Sequence, residues 1–385
     1  MRKVLVTAHL WLGLTLGFFW AIQGLTGALF VFSREADRLF LPAPSAGPMV
    51  SLDELVAAAR SVAPDAAITR LSVADKHQDT VNVLYDDRDG VKRAVVVDGA
   101  SGKVVGTREM APWTPFTGSA SRWLYTTHLT LLGGDRGQTL VGISGLFLVS
   151  AAITGLWIAW PRRGSWRATF QWRRWSKIDH RLFGWHRAIG LVAGFLFIAM
   201  GLTGAFLALP EEPVRQFAGR FVRYEPIFSQ AIMHHSHGPF RAPSPETVIS
   251  PQQALQTALQ RFPQAHWVRV FMPSVDMPIY IVRLYQPGEI RAWLGATEVV
   301  VNAHDGQISG EFDALHAPVS NQIFDGSFDF HSGALAGLPG RIAIMLLGFS
   351  LPAMYVTGIW AWLRKRRRKA ERAKQKALEG LPAAR

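Results

Sequence analysis

An apolar stretch near the start of this chain returns without a gap 177 residues later. His9 is followed by LWLGLTLGFFWAIQGLTGALF and His186 by RAIGLVAGFLFIAMGLTGAFL. His9 therefore matches His186, Gly13 matches Gly190, Gly17 matches Gly194, and the GLTGA of 24–28 matches that of 201–205. A second pair of stretches is related by 203 residues: His128 matches His331, Gly145 matches Gly348, and the TGLW of 154–157 matches the TGIW of 357–360. A chain that repeats itself in this way is expected to build one structural unit twice. The repeated stretches also set the environment. Val4–Phe32, Gln138–Trp160, Arg187–Leu209 and Ile342–Leu363 each reach the roughly 20 apolar residues that cross a bilayer. The first is too long for a secretory leader and reads as an uncleaved anchor.

Composition and charge placement agree. Apolar residues make up 49% and charged residues 18%, too greasy for an ordinary soluble enzyme. The chain has no Cys, which excludes disulfides, thiolate metal sites, iron–sulfur clusters and covalently attached CxxCH haem. A net charge of +13 raises the question of nucleic acid, but the excess sits beside the spans. Residues 161–186 hold seven basic residues against Asp179, and 364–385 hold ten against Glu371 and Glu379. By contrast 33–137 has 12 basic and 13 acidic residues, and 210–338 has 8 and 12. The Lys/Arg bias puts both termini and the 161–186 loop in the cytoplasm and the two balanced segments outside, with lipid headgroups rather than nucleic acid as the partner.

The expected order is a transmembrane helix over 1–32, an outer module over 33–137, and helices over 138–160 and 187–209 flanking the basic loop of 161–186. A second module over 210–338, a fourth helix over 339–363 and the basic tail of 364–385 complete it. The modules repeat as well. Leu52–Ala63 and Gln252–Pro263 pattern as amphipathic helices, and 80–85 and 280–285 as strands. The near-copies VVVDGASGKVVG at 95–106 and VVVNAHDGQISG at 299–310 pattern as hairpins. The fold class is thus a membrane α-helical protein of four transmembrane helices, internally duplicated, with two α+β modules on the periplasmic side.

The doubled helix–strand module ending in VxVDxxxGxxxG, set between spans carrying HxxxGxxxG and GLTG, resembles the bacterial PepSY-associated transmembrane family over nearly the whole chain. Within it the resemblance runs toward inner-membrane siderophore reductases of the ferrioxamine type. It implies haem b and the release of iron from a periplasmic ferric siderophore by reduction. Neutral imidazoles in pairs suit the two axial positions of haem iron, and ionisable residues at span edges are usually functional. His9 with His186 is expected to hold one haem on the cytoplasmic side, with His180 an alternative to His186. His128 with His331 is expected to hold a second on the periplasmic side. Gly13, Gly17, Gly190 and Gly194 lie one and two turns from the first pair, where a flat macrocycle needs a bare helix wall; the other reading of these glycines is close helix packing. His234, His235 and His237 in HHSHG, together with His316, are candidate contacts for the chelate; the alternative is a solvated loop. Trp123 and Tyr125 are expected near the outer haem. Motifs for nicotinamide, flavin or nucleotide binding are absent, so the electron donor is a partner or a quinol. The rival reading is a non-catalytic regulator that binds a peptidase or transporter outside the membrane.

Overall fold

The computed structural model describes residues 2–39, 42–74, 79–87, 91–110, 120–161, 165–171, 178–209, 219–225, 227–229, 240–291 and 294–379. In chain order the elements begin with α1 (Arg2–Thr15), α2 (Gly17–Phe30), α3 (Ser33–Arg38) and α4 (Leu52–Val62). Four strands follow, β1 (Ala67–Val73), β2 (Thr80–Asp86), β3 (Lys92–Asp98) and β4 (Val104–Glu109). Next come α5 (Ala120–Thr130), α6 (Gly134–Ala159), the short α7 (Trp166–Thr169) and α8 (Ile178–Ala208). The chain continues with α9 (Pro251–Arg261), β5 (His266–Phe271), β6 (Ile279–Tyr285), β7 (Thr297–Asn302) and β8 (Ile308–Phe312). It closes with α10 (Val319–Ser332) and α11 (Gly337–Glu379). These elements form two compact units: residues 1–29, 127–209 and 342–385 in one, and 30–126 and 210–341 in the other.

Among the described residues of the helical unit three helices are long and apolar enough to cross a membrane, and α1 with α2 makes a fourth if counted as one bent span. The chain is a membrane protein on this ground. The first span was expected to be one helix over 1–32; it is broken at Leu16 into α1 and α2, which meet at 59°. Helix α11 runs on through the basic tail to Glu379. Glycine sets two of the helix crossings. A Cβ on Gly24 would meet the Gly348 carbonyl oxygen at 2.5 Å, and one on Gly201 would meet that of Gly145 at 2.8 Å. Backbones this close exclude any side chain, and lipid offers no hydrophobic drive to replace the contact. Between α5 and α6 the chain turns at Leu131 and Leu132, both at positive φ (48° and 61°), a conformation costly for branched side chains. A Cβ on Gly137 would strike the Thr130 carbonyl, so the turn requires glycine there.

The other unit is one antiparallel sheet in the order β4-β3-β2-β1-β5-β6-β7-β8. Two modules were expected, over 33–137 and 210–338. Instead β1 pairs with β5, Leu71 opposite Val270, and the halves share one core. The physical reason is edge satisfaction: either half alone would leave a central strand with unpaired backbone groups. Neither β1 nor β5 was among the expected strands. Helices α4 and α9 cover one face, burying Leu52, Leu55, Ala59, Ala254, Leu255 and Ala258 against Leu71, Val81, Val83, Val95, Val270, Val282 and Val299. Each large side chain buried there contributes about 1.5–3 kcal/mol. Ser51 caps α4 by accepting from the Glu54 N–H, and Ser250 forms a capping box with Gln253 on α9. The caps adjoin, since the Leu52 N–H donates to Gln252 Oε1.

Candidate functional site

Helix α1 carries His9, and the first turns of α8 carry His186; both are partly buried. The Nδ1 of His9 lies 3.0 Å from the Ala151 carbonyl oxygen of α6. The Nδ1 of His186 lies 3.1 Å from the Met354 carbonyl oxygen of α11. His128, near the end of α5, repeats the arrangement with the Gln23 carbonyl of α2 at 2.9 Å. A carbonyl oxygen only accepts, so each Nδ1 carries the proton and donates it. The other ring nitrogen, Nε2, is then left with its lone pair, the form in which histidine binds metal.

The three seats share their side chains. Thr154, Thr357 and Thr26 place a hydroxyl 3.4, 3.3 and 3.4 Å from the respective Nδ1. The next residue is glycine each time. A Cβ on Gly155 would lie 2.8 Å from His9 Cε1, one on Gly358 3.2 Å from His186 Cε1, and one on Gly27 2.7 Å from His128 Cε1. The Cε1 edge of each ring thus sits where a side chain on that glycine would stand. Sequence reasoning registered these Thr-Gly pairs as repeats, in TGLW, TGIW and GLTG, but gave them no role. Their signal was the constant Thr-Gly order on the helices opposite the histidines. Thr203-Gly204 is a fourth copy in the sequence.

His9 and His186 come together, with ring centroids 6.2 Å apart and planes at 80°. A metal–imidazole bond is about 2.0 Å, so rings this close are within reach of one shared metal. Two imidazoles supply two nitrogen donors, which suits a metal whose remaining positions are filled by a macrocycle. The four glycines divide. A Cβ on Gly13 meets nothing within 4 Å, and one on Gly190 meets only the Met354 methyl at 3.3 Å. Gly17 is filled by the Tyr355 ring at 2.7 Å and Gly194 by Leu156 at 2.6 Å, both packing contacts. The open wall thus lies at Gly13 and Gly190, one turn from each ring.

His331 lies in α10, which belongs to the sheet unit, whereas His128 belongs to the helical unit. His316 is exposed and hydrogen-bonded to Asp313 at 2.7 Å. His234, His235 and His237 lie outside the described residues, as does the side chain of His180. The helices break before the second and fourth spans, at 131–133 and 333–336. Trp123 and Tyr125 share α5 with His128, and Tyr125 packs on Phe30 at 5.5 Å.

Paired histidine seats between glycine-lined membrane helices, joined to a helix-covered antiparallel sheet, define a class of membrane protein. Residues 6–365 match the family described as the PepSY-associated TM region, and the chain belongs to that family. No curated protein matches the sequence.

Proposed function

We propose that this protein is a haem-b reductase of the bacterial inner membrane, with both termini in the cytoplasm and the sheet unit in the periplasm. Its substrate is Fe(III) held in a siderophore. A hard trivalent ion suits hard oxygen donors better than Fe(II) does. One electron added to the chelated ion therefore releases the iron with the chelator intact. The donor is a cytoplasmic protein or a quinol.

The observation that carries this reading is the His9–His186 pair, 6.2 Å between centroids with both Nδ1 protons committed to carbonyls. When bound, haem b supplies reversible one-electron Fe(III)/Fe(II) chemistry. The chain's own part is to hold and orient. His9 and His186 would hold the haem iron through Nε2. The Ala151 and Met354 carbonyls fix the tautomer and orientation of each ring. Gly155 and Gly358 let each ring approach its helix, and Gly13 and Gly190 leave the wall clear. His128 is seated in the same way and would hold a second haem.

The test is the visible spectrum of the detergent-purified chain, with haem counted per polypeptide. A Soret band with sharp α bands that shift on dithionite, and two haems per chain, are expected. Ferric siderophore should then reoxidise the reduced protein, with Fe(II) trapped by a ferrous chelator. A folded protein that takes up no haem would replace this reading with the non-catalytic regulator.

A further inference from the structure

The face of the sheet turned away from α4 and α9 carries charge at its centre. Strands β1 and β5 each bear an arginine there, Arg70 in AAITRL and Arg269 in AHWVRV, at matching positions 199 residues apart. The register of each strand against its outer neighbour slips just before the arginine, between Ile68 and Arg70 and between Trp267 and Arg269. Such bulges re-aim side chains and recur next to functional sites. Arg70 stands opposite Phe271, and Arg269 opposite Ser72. The two arginines are therefore diagonal neighbours, about 7–8 Å apart. Both guanidinium groups lie over the same ring, that of Phe271, at 5.7 and 5.8 Å.

Their charges are not balanced within the sheet. The Nε–H groups of Arg70, Arg269 and Arg291 are buried and find no acceptor among the described residues. Arg283, opposite Arg269, is already satisfied by Glu298 at 2.7 Å and by Ser229. Arg291 leans on Asp325 at 3.7 Å. Burial lowers the Arg70 guanidinium to about 10, helped by the like charges of Arg283 and Arg122. Burial and the charges of Arg70, Arg283 and Arg291 hold Arg269 well below its ordinary value, with Glu298 opposing. Withdrawing a cation from water without a partner costs several kcal/mol, so two such groups held side by side leave a place for an anion.

We propose that Arg70 and Arg269, with Arg291 beside them, form an anion-binding site for a ligand presenting two carboxylates or equivalent oxyanion groups. Planar guanidinium forks donate to such groups in bidentate fashion. Phe271 fixes the two forks, so little side-chain freedom is lost on binding. The carboxylates come either from a small free anion or from a porphyrin that reaches this face of the sheet from solution; neither source rests on the proposed function.

The full-length protein in detergent, titrated calorimetrically with citrate, tests the site. Saturable binding of one citrate per chain is expected. Arg70→Gln and Arg269→Gln should each weaken it at least tenfold, while Arg241→Gln, at an exposed arginine paired with Asp276, leaves it unchanged. If citrate does not bind, spectral titration with protohaem and its dimethyl ester decides. Weaker protohaem binding in the Gln variants, with ester binding unaltered, assigns the carboxylates to the porphyrin. Citrate binding that survives both substitutions, or the absence of both effects, overturns the site. Should a Gln variant not elute as the wild-type species, Arg70→Lys and Arg269→Lys, which keep the charge and lose the fork, are judged on a several-fold weakening in the same assays. Loss of all haem with citrate binding intact would remove the proposed function and leave this site standing.

Discussion

The two units solve the same problem, holding a chain in one conformation, with opposite means. The sheet unit buries a continuous layer of Leu, Val, Ala and Tyr under two capped helices. The helical unit buries less: 17% of the most apolar window of α6, 39% of that of α8 and 6% of that of α11 lie inside it. Water drives apolar burial in the first, whereas lipid tails give no such drive in the second. The helical unit therefore relies on backbone contacts at glycine and on a few polar side chains with fixed partners. A histidine held there by a carbonyl and a bare Thr-Gly turn is specific in a way that a buried valine in the sheet is not.

The sharpest way to break this contrast is to remove a ring. His9→Ala and His186→Ala should each halve the haem per chain, and His128→Ala should remove the other half, as counted by pyridine haemochrome. The 80° between the His9 and His186 planes further predicts a strongly anisotropic low-spin electron paramagnetic resonance signal that vanishes with either variant.

On the sheet side the largest effect belongs to the buried pair. Arg283 and Glu298 are 6% and 0% exposed, so Glu298→Gln or Arg283→Gln leaves an uncompensated charge and should cost about 3–5 kcal/mol in chemical unfolding.

Asp329 gives the same region a pH dependence. Burial pushes its carboxyl up to about 6, with Arg291 and Arg34 opposing and Asp325 assisting. Its ordinary value is 3.8. Between the two the native chain keeps a proton that the unfolded chain has released. Stability should therefore fall as pH rises through this window, by at most about 3 kcal/mol, and level off above it. Subtracting the Asp329→Asn profile from the wild-type profile isolates the effect; a flat difference would show the carboxyl to be ionised throughout.

Two glycines sharpen the comparison from the membrane side. Gly24→Ala sets a methyl against the Gly348 carbonyl and should cost about 1–3 kcal/mol in thermal unfolding in detergent. Gly13→Ala meets nothing and should leave the fold unharmed while haem retention drops. The smallest effect falls on the α9 cap. Ser250→Ala removes the acceptor for the Gln253 N–H, 3.3 Å away, and should cost about 1 kcal/mol.

Much of the site was legible before any coordinates. His9 and His186 stood out because one helix pattern occurs twice with a histidine at its head. The partners of those rings were hidden, because a carbonyl acceptor such as that of Ala151 or Met354 has no signature of its own. The merged sheet was hidden too. Short, mixed runs such as AITRLSV and HWVRVF lack a clean alternation, since a bulge interrupts each one.

By itself the sequence determined what periodicity, length and charge can encode: the apolar spans, their duplication, the amphipathic helices and the hairpins. Only the tertiary structure decided which helix seats which histidine and which glycines stay bare. It also decided that two arginines 199 residues apart share one phenylalanine. Those outcomes are contacts between distant segments. They depend on backbone approach and strand register, which no local pattern of residues contains.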